Sequence, residues 1–159
     1  MDKKKLVEAI LGKLESERLI LIEAARATYD AATNEESKPE NEYDTRGLEA
    51  SYLAGAQAKR VADIEEVIAL CKSLEVKSYT NNSPIGASAL VQVDYNAKKS
   101  YVFLMPKGGG TLVTFDSKTI QVIAPNSPLG TSLLGLKTGD VAMVETEADV
   151  KEYEILSVE

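Results

Sequence analysis

The sequence predicts two parts: an antiparallel α-helical coiled-coil hairpin over residues 1–75, and an α+β domain over 85–159 in which an antiparallel sheet carries one short helix. A linker at 76–84 joins them. Three observations lead there. Up to about residue 75 the chain is rich in Ala, Leu, Glu and Lys at helical spacing, and from about 85 it turns to Val, Ile, Tyr and Thr broken by Gly, Pro and Asn. The first part holds two heptad seams that mirror each other in spacing. The second part holds one short helix with clear start and stop signals.

The first seam runs through Val7, Ile10, Leu14, Glu17, Leu21, Ala24, Thr28 and Ala31, at alternating steps of three and four. The second runs through Gly47, Ala50, Ala54, Gln57, Val61, Ile64, Ile68 and Cys71. Pairing them antiparallel sets Val7 against Cys71, Ile10 against Ile68 and Leu14 against Ile64, and so on to Ala31 against Gly47, every pair centred on Pro39. Proline lacks a backbone donor and pushes its predecessor out of the helical region, so the reversal has a local cause. Arms of about 30 residues at 1.5 Å per residue would reach roughly 45 Å, so the hairpin is expected to protrude. Small residues next to the turn, Ala or Thr against Ala or Gly, suit a tip that enters a narrow passage. Ala-rich helices also produce such pairs by composition alone, and Thr28 makes the middle pair bulkier and more polar.

In the second part strands are expected near Ala89–Tyr95, Tyr101–Met105, Thr111–Phe115, Thr119–Ala124, Val141–Glu145 and Lys151–Val158, with Asn96–Lys99 and Gly108–Gly110 as hairpin connections. Between the fourth and fifth, Ser127 is a good N-cap, Pro128 fits the first helical position, and Gly135 can take the left-handed conformation that ends a helix. Leu129, Leu133 and Leu134 are expected to pack this helix onto the sheet.

Composition narrows the chemistry. A net charge of −7 argues against a free-standing nucleic-acid binder, since phosphate affinity comes mainly from Lys and Arg. The absence of histidine and the single cysteine, Cys71, exclude a Cys/His metal site, His-based acid/base catalysis and an internal disulfide. Cys71 falls on the seam and reads as a small core residue. The N-terminal stretch mixes charges into its apolar positions, so neither a signal peptide nor a membrane span is expected and a cytoplasmic location is. No phosphate-binding glycine motif precedes Lys-Ser/Thr; Gly108–Gly110 reads as a turn.

The turn region Thr33–Arg46 gathers Glu35, Glu36, Glu40, Glu42 and Asp44 against Lys38 and Arg46. Crowded carboxylates suit a hard, oxygen-seeking cation such as Mg²⁺, which usually takes only one or two protein carboxylates. A metal site shared with a partner fits better than a private one. Solvation of an ordinary acidic loop, and Asp44 favouring a helix start, account for the same residues without any metal.

The segment Asn126-Ser-Pro-Leu-Gly-Thr-Ser-Leu-Leu-Gly-Leu-Lys-Thr-Gly-Asp140 resembles the C-terminal signature of the bacterial transcript-cleavage factors GreA and GreB, and the hairpin-before-domain plan extends the resemblance over nearly the whole chain. The resemblance implies an FKBP-like C-terminal domain docking on the rim of the secondary channel of bacterial RNA polymerase through Ser127, Pro128, Leu129 and Gly130. It implies a hairpin in that channel whose tip acids Glu36, Glu40 and Glu42 assist cleavage of backtracked RNA, with Glu36 and Glu40 near a Mg²⁺ shared with the polymerase. Nucleic acid would be met only through the polymerase complex, no membrane is involved, and the chain would be an accessory monomer and not an enzyme.

The family's tip runs Asp, two residues, Glu-Asn, one residue, Glu-Tyr. Anchored on Glu42-Tyr43, Glu36 replaces the Asp and Pro39 replaces the first Glu; anchored on Glu40-Asn41, Ser37 stands at the Asp position and the chain is one residue short before Tyr43. Either register loses one of two key acids, so a non-cleaving occupant of the channel stands as the alternative. A prolyl isomerase or chaperone ranks last, because the second part has no Trp and only Phe103 and Phe115 as phenylalanines to line an aromatic pocket.

Overall fold

The computed structural model describes residues 1–33, 46–147 and 149–159. They divide into two compact units, one Gly12–Ala69, the other Met1–Leu11 with Leu70–Glu159. Two long helices are present, α1 (Lys3–Thr33) and α2 (Arg46–Lys72). The expected turn, with Pro39 and the acids Glu35, Glu36, Glu40, Glu42 and Asp44, lies outside the described residues.

Helix α1 starts where Asp2 caps it, its Oδ1 accepting from the backbone N–H of Lys4 at 3.1 Å and of Lys5 at 3.2 Å. Along both helices most described seam positions are sheltered: Ile10, Leu14, Ile68 and Cys71 are buried, and Leu21, Ala24, Thr28, Ala54, Gln57, Val61 and Ile64 are half-buried, while Leu6, off the seam, is buried as well and the side chains of Gly47 and Ala50 lie outside the description. Thr28 satisfies its hydroxyl within its own helix, donating to the Ala24 carbonyl at 2.9 Å. Gln57 Oε1 is buried with no hydrogen-bond partner among the described residues, the cost of a polar side chain on the seam. Counting heptads from Val7 and from Ala54 puts Arg18 and Glu65 both on the e flank, and Arg18 Nε donates to Glu65 Oε1 at 2.8 Å. Like flanks meet only when helices run antiparallel, so this pair reports the direction of the hairpin, although as an exposed ion pair it contributes little stability. Ala31 departs from expectation in being exposed.

Within the unit that carries the strands, Cys71 is 1% exposed and its Sγ lies 3.8 Å from the Val7 carbonyl, the pairing read from the seam. Burial pushes the Cys71 thiol up, so its thiolate, the reactive form, is scarcer at neutral pH than in an open chain. A soluble disulfide reagent is therefore expected to modify Cys71 slowly in the native protein and rapidly in denaturant; equal rates would contradict this packing.

Six strands follow: β1 (Leu90–Tyr95), β2 (Lys98–Leu104), β3 (Leu112–Phe115), β4 (Lys118–Ile123), β5 (Val141–Glu145) and β6 (Val150–Val158), with α3 (Pro128–Leu133) between β4 and β5. They form one sheet in the order β3-β4-β2-β1-β6-β5. The sheet is mixed, not wholly antiparallel: β2 and β4 run parallel, pairing Tyr101 with Ile120 through Leu104 with Ile123. Strand β4 slots between β2 and β3, so Gly108–Gly110 does not close a hairpin between neighbours. That loop instead follows β4, with Gly110 N–H donating to Val122 O at 2.9 Å and Val122 N–H to Thr111 O at 2.8 Å. Gly108 and Gly110 supply the φ of +89° and +97° that the path needs.

The β1–β2 connection is tighter than expected. Only Asn96 and Ala97 form it, with φ of 52° and 61°, and Lys98 and Lys99 already belong to β2. Two left-handed residues are what a two-residue hairpin requires, and alanine is a poor choice for the second. Ala97→Gly is expected to stabilise the fold by about 0.5–1 kcal/mol, the left-handed penalty less glycine's extra unfolded-state entropy; a lower melting temperature would count against the turn geometry.

One face of the sheet buries Val91, Val93, Val102, Leu104, Ala142, Ile155 and Val158 together with Leu133 from α3, while Leu129 is partly buried against this cluster. Leu134, expected in the same contact, is 42% exposed, because α3 ends at Leu133 and Leu134 has turned to ψ 129°. The 76–84 stretch is tied down, not loose. Lys77 N–H donates to Ser88 Oγ at 2.9 Å, and Ser88, fully buried at φ 63°, donates its own N–H to Leu104 O at 2.9 Å. Lys3 Nζ donates to the carbonyls of Lys77 and Ser88 and sits 4.8 Å from the Tyr79 ring centroid. Desolvation lowers the Lys3 pKa, opposed by the charge of Glu159.

Candidate docking site at helix α3

Ser127, Pro128, Leu129 and Gly130 stand together at the start of α3. Ser127 holds extended backbone at φ −77°, ψ 155°; its Oγ accepts from Gly130 N–H at 3.1 Å and donates to Ala124 O at 2.7 Å. Both hydrogen-bonding roles of the hydroxyl point inward, so Ser127 shapes the turn. Pro128 occupies the first helical position, where its missing N–H costs nothing, and is exposed.

Gly130 is buried for a steric reason. A Cβ there would lie 2.0 Å from Ala124 O and 2.9 Å from Ala124 C, so helix and preceding strand end approach closer than any side chain permits. Gly135 ends the helix at φ +80°, as its position in the sequence suggests, and its N–H donates to Ile85 O at 2.9 Å. The end of the motif is structural as well: Gly139 takes φ +90° and donates to Ile155 O at 2.8 Å, while Asp140 Oδ2 accepts from Lys137 N–H at 2.8 Å.

Thus the motif divides. Ser127, Gly130, Gly135, Gly139 and Asp140 hold the backbone, and Pro128, Thr131 and Leu134 face outward beside the half-buried Leu129. Sequence reasoning grouped Ser127–Gly130 as one surface; the split needed the distance from Gly130 to Ala124. The exposure of Leu134 had no sequence signal, since Leu133 beside it is wholly buried. The carboxylates Glu36, Glu40 and Glu42 lie outside the described residues. Among the described residues no group of three or more His, Cys, Asp or Glu is placed to hold a metal ion.

The described residues thus combine two long helices with a mixed-sheet domain whose α3 turn is capped by Ser127. Residues 113–159 match the family model for the C-terminal part of the transcription elongation factors GreA/GreB. Over 156 residues the chain is 24% identical to the transcription elongation factor GreA of Thermotoga petrophila, covering 98% of this chain and 89% of the relative. It is 26% identical over 155 residues to the transcription inhibitor protein Gfh1 of Thermus aquaticus, covering 95% and 90%. The crystal structure of Thermus aquaticus Gfh1 is similar over 95% of this chain and 92% of that one, at 23% identity and a TM-score of 0.40. The chain is thus similar to the GreA/GreB family, in its C-terminal part by the family model and over nearly its whole length by these relatives. Its relatives' names describe regulators of transcription and not enzymes. The FKBP-like expectation is met only in outline, by a sheet with one short helix packed on it. Among the described residues no helix is long and apolar enough to cross a membrane.

Proposed function

We propose that this chain is a Gre-type elongation factor that binds bacterial RNA polymerase at its secondary channel and stimulates cleavage of backtracked transcripts. One observation carries the reading: similarity to GreA extends over 98% of the chain, so hairpin and domain are shared together. In this reading Pro128 and Leu129 seat the domain on the polymerase, on a turn shaped by Ser127 and Gly130. Glu36, Glu40 and Glu42 bring carboxylates toward the polymerase's Mg²⁺, with Glu36 and Glu40 nearest it. A bound divalent ion activates water and offsets charge on a phosphoryl oxygen. The chain itself contributes position and negative charge and no nucleophile, acting as a cytoplasmic monomer that meets RNA only within the polymerase complex.

A second reading, a non-cleaving occupant of the channel, is favoured by the tip motif, which loses one of two acids in either register, and by the similarity to Gfh1. Adding the purified chain and Mg²⁺ to a stalled, backtracked complex separates them. Shortening of the transcript from its 3′ end is the result expected of the first. Binding without shortening, together with competition against a cleavage-proficient Gre factor, is expected of the second. Absence of any binding to the polymerase would remove both.

A further inference from the structure

Strand β5 closes one edge of the sheet, and its outward side chains do not look like those of a solvated edge. Ala142 and Val144 point into the core, leaving Val141 48% and Met143 58% exposed on the other face with Glu145. On β6 the outward residues are Val150, 44% exposed, Glu152 and Glu154. The register sets Val141 against Glu154, Met143 against Glu152 and Glu145 against Val150. Each cross-strand pair therefore joins one apolar side chain to one carboxylate. On its far side Glu154 meets Asp94 of β1, a like-charge pair that works against the sheet. Lys99, opposite Asp94, is the one cation in that row. Among the described residues no ion pair or hydrogen bond engages the carboxylates of Asp94, Glu145, Glu152 or Glu154.

We infer that this face binds a basic amphipathic segment of a protein partner, and, resting on the function proposed above, that the segment belongs to RNA polymerase. Charge complementarity decides the occupant. Lys and Arg side chains lay aliphatic stems on apolar surface and carry their charge to its rim, the combination that alternating valine, methionine and glutamate can desolvate without stranding a charge. Nucleic acid is disfavoured because its phosphates would face Asp94, Glu145, Glu152 and Glu154. A second copy offering the same face would bring like charges together. A metal ion is disfavoured because each β5–β6 pair holds a single carboxylate beside an apolar side chain, and among the described residues no group of three or more acids is placed to hold one. The surface is separate in sequence from the α3 turn and adds a second contact to it.

The test is equilibrium binding of the full chain to core RNA polymerase over a range of salt concentrations. Glu152→Lys/Glu154→Lys should raise Kd about tenfold or more at low salt and flatten the salt dependence, since rim charges act through screened attraction. Met143→Ser should weaken binding at every salt concentration. Glu75→Lys, an exposed reversal elsewhere, should bind as wild type, and thermal melts establish that each variant is folded. Wild-type binding that neither β5–β6 variant alters would overturn this inference alone. No binding by the wild type would overturn the polymerase reading and this surface with it, and self-association abolished by Glu152→Lys/Glu154→Lys would replace polymerase with a second copy as the occupant.

Discussion

Gly130→Ala is expected to destabilise the protein by on the order of 3 kcal/mol, because the new methyl can be housed only by moving backbone. The obstacle is Ala124 O, 2.0 Å from the position of the added carbon, and Ser127 Oγ, 2.9 Å away, is itself the cap that the displaced turn would lose. For a chain of this size the loss corresponds to a fall of roughly 10 °C in melting temperature. The same substitution in α1 or α2 should act in the opposite direction. Gly12 and Gly55 have open space where a Cβ would stand, so Gly12→Ala and Gly55→Ala are each expected to stabilise by about 1 kcal/mol through helix propensity. Melting the three variants side by side checks both signs. A Gly130→Ala protein as stable as wild type would refute the close approach of α3 to the end of β4.

The second large effect is functional. Replacing Glu36, Glu40 and Glu42 together by glutamine is expected to reduce stimulated transcript cleavage on the order of 100-fold, the scale on which removal of a metal-orienting or charge-stabilising group reads out. Binding to the polymerase should persist, since the α3 turn is untouched. Glutamine keeps the shape and polarity of each side chain and removes only the charge, so a fall in rate with retained affinity would assign the work to the carboxylates. Retained cleavage by the triple variant would eliminate them as the assisting groups. A wild-type chain that binds and never cleaves would turn the same comparison in favour of the Gfh1-like reading.

Legibility in the sequence followed how local each cause is. The capped α3 helix was readable in full at its ends: Ser127, Pro128 and Gly135 act on backbone within a few residues, and all three take the predicted roles. Strand positions were readable because β5 alternates strictly between exposed and buried residues. Strand order was not, since the parallel pairing of β2 with β4 depends on which edge the chain chooses after Leu104. Neither strand's own residues encode that choice, and a sequential antiparallel order was the simplest extrapolation. Leu134 was misplaced for a related reason: hydrophobicity says that a side chain gains from burial, not that the backbone will turn it inward.

The sequence by itself determined the base of the hairpin seam, the caps of α3 and the family resemblance, because each rests on spacing or on residues acting on their immediate neighbours. Only the tertiary structure decided that Gly130 is a contact between backbones, that the sheet is mixed, and that Val141 and Met143 share an open face with Glu152 and Glu154. Those facts arise from segments far apart in the chain being brought together, and a distance between two such segments exists only after the chain has folded.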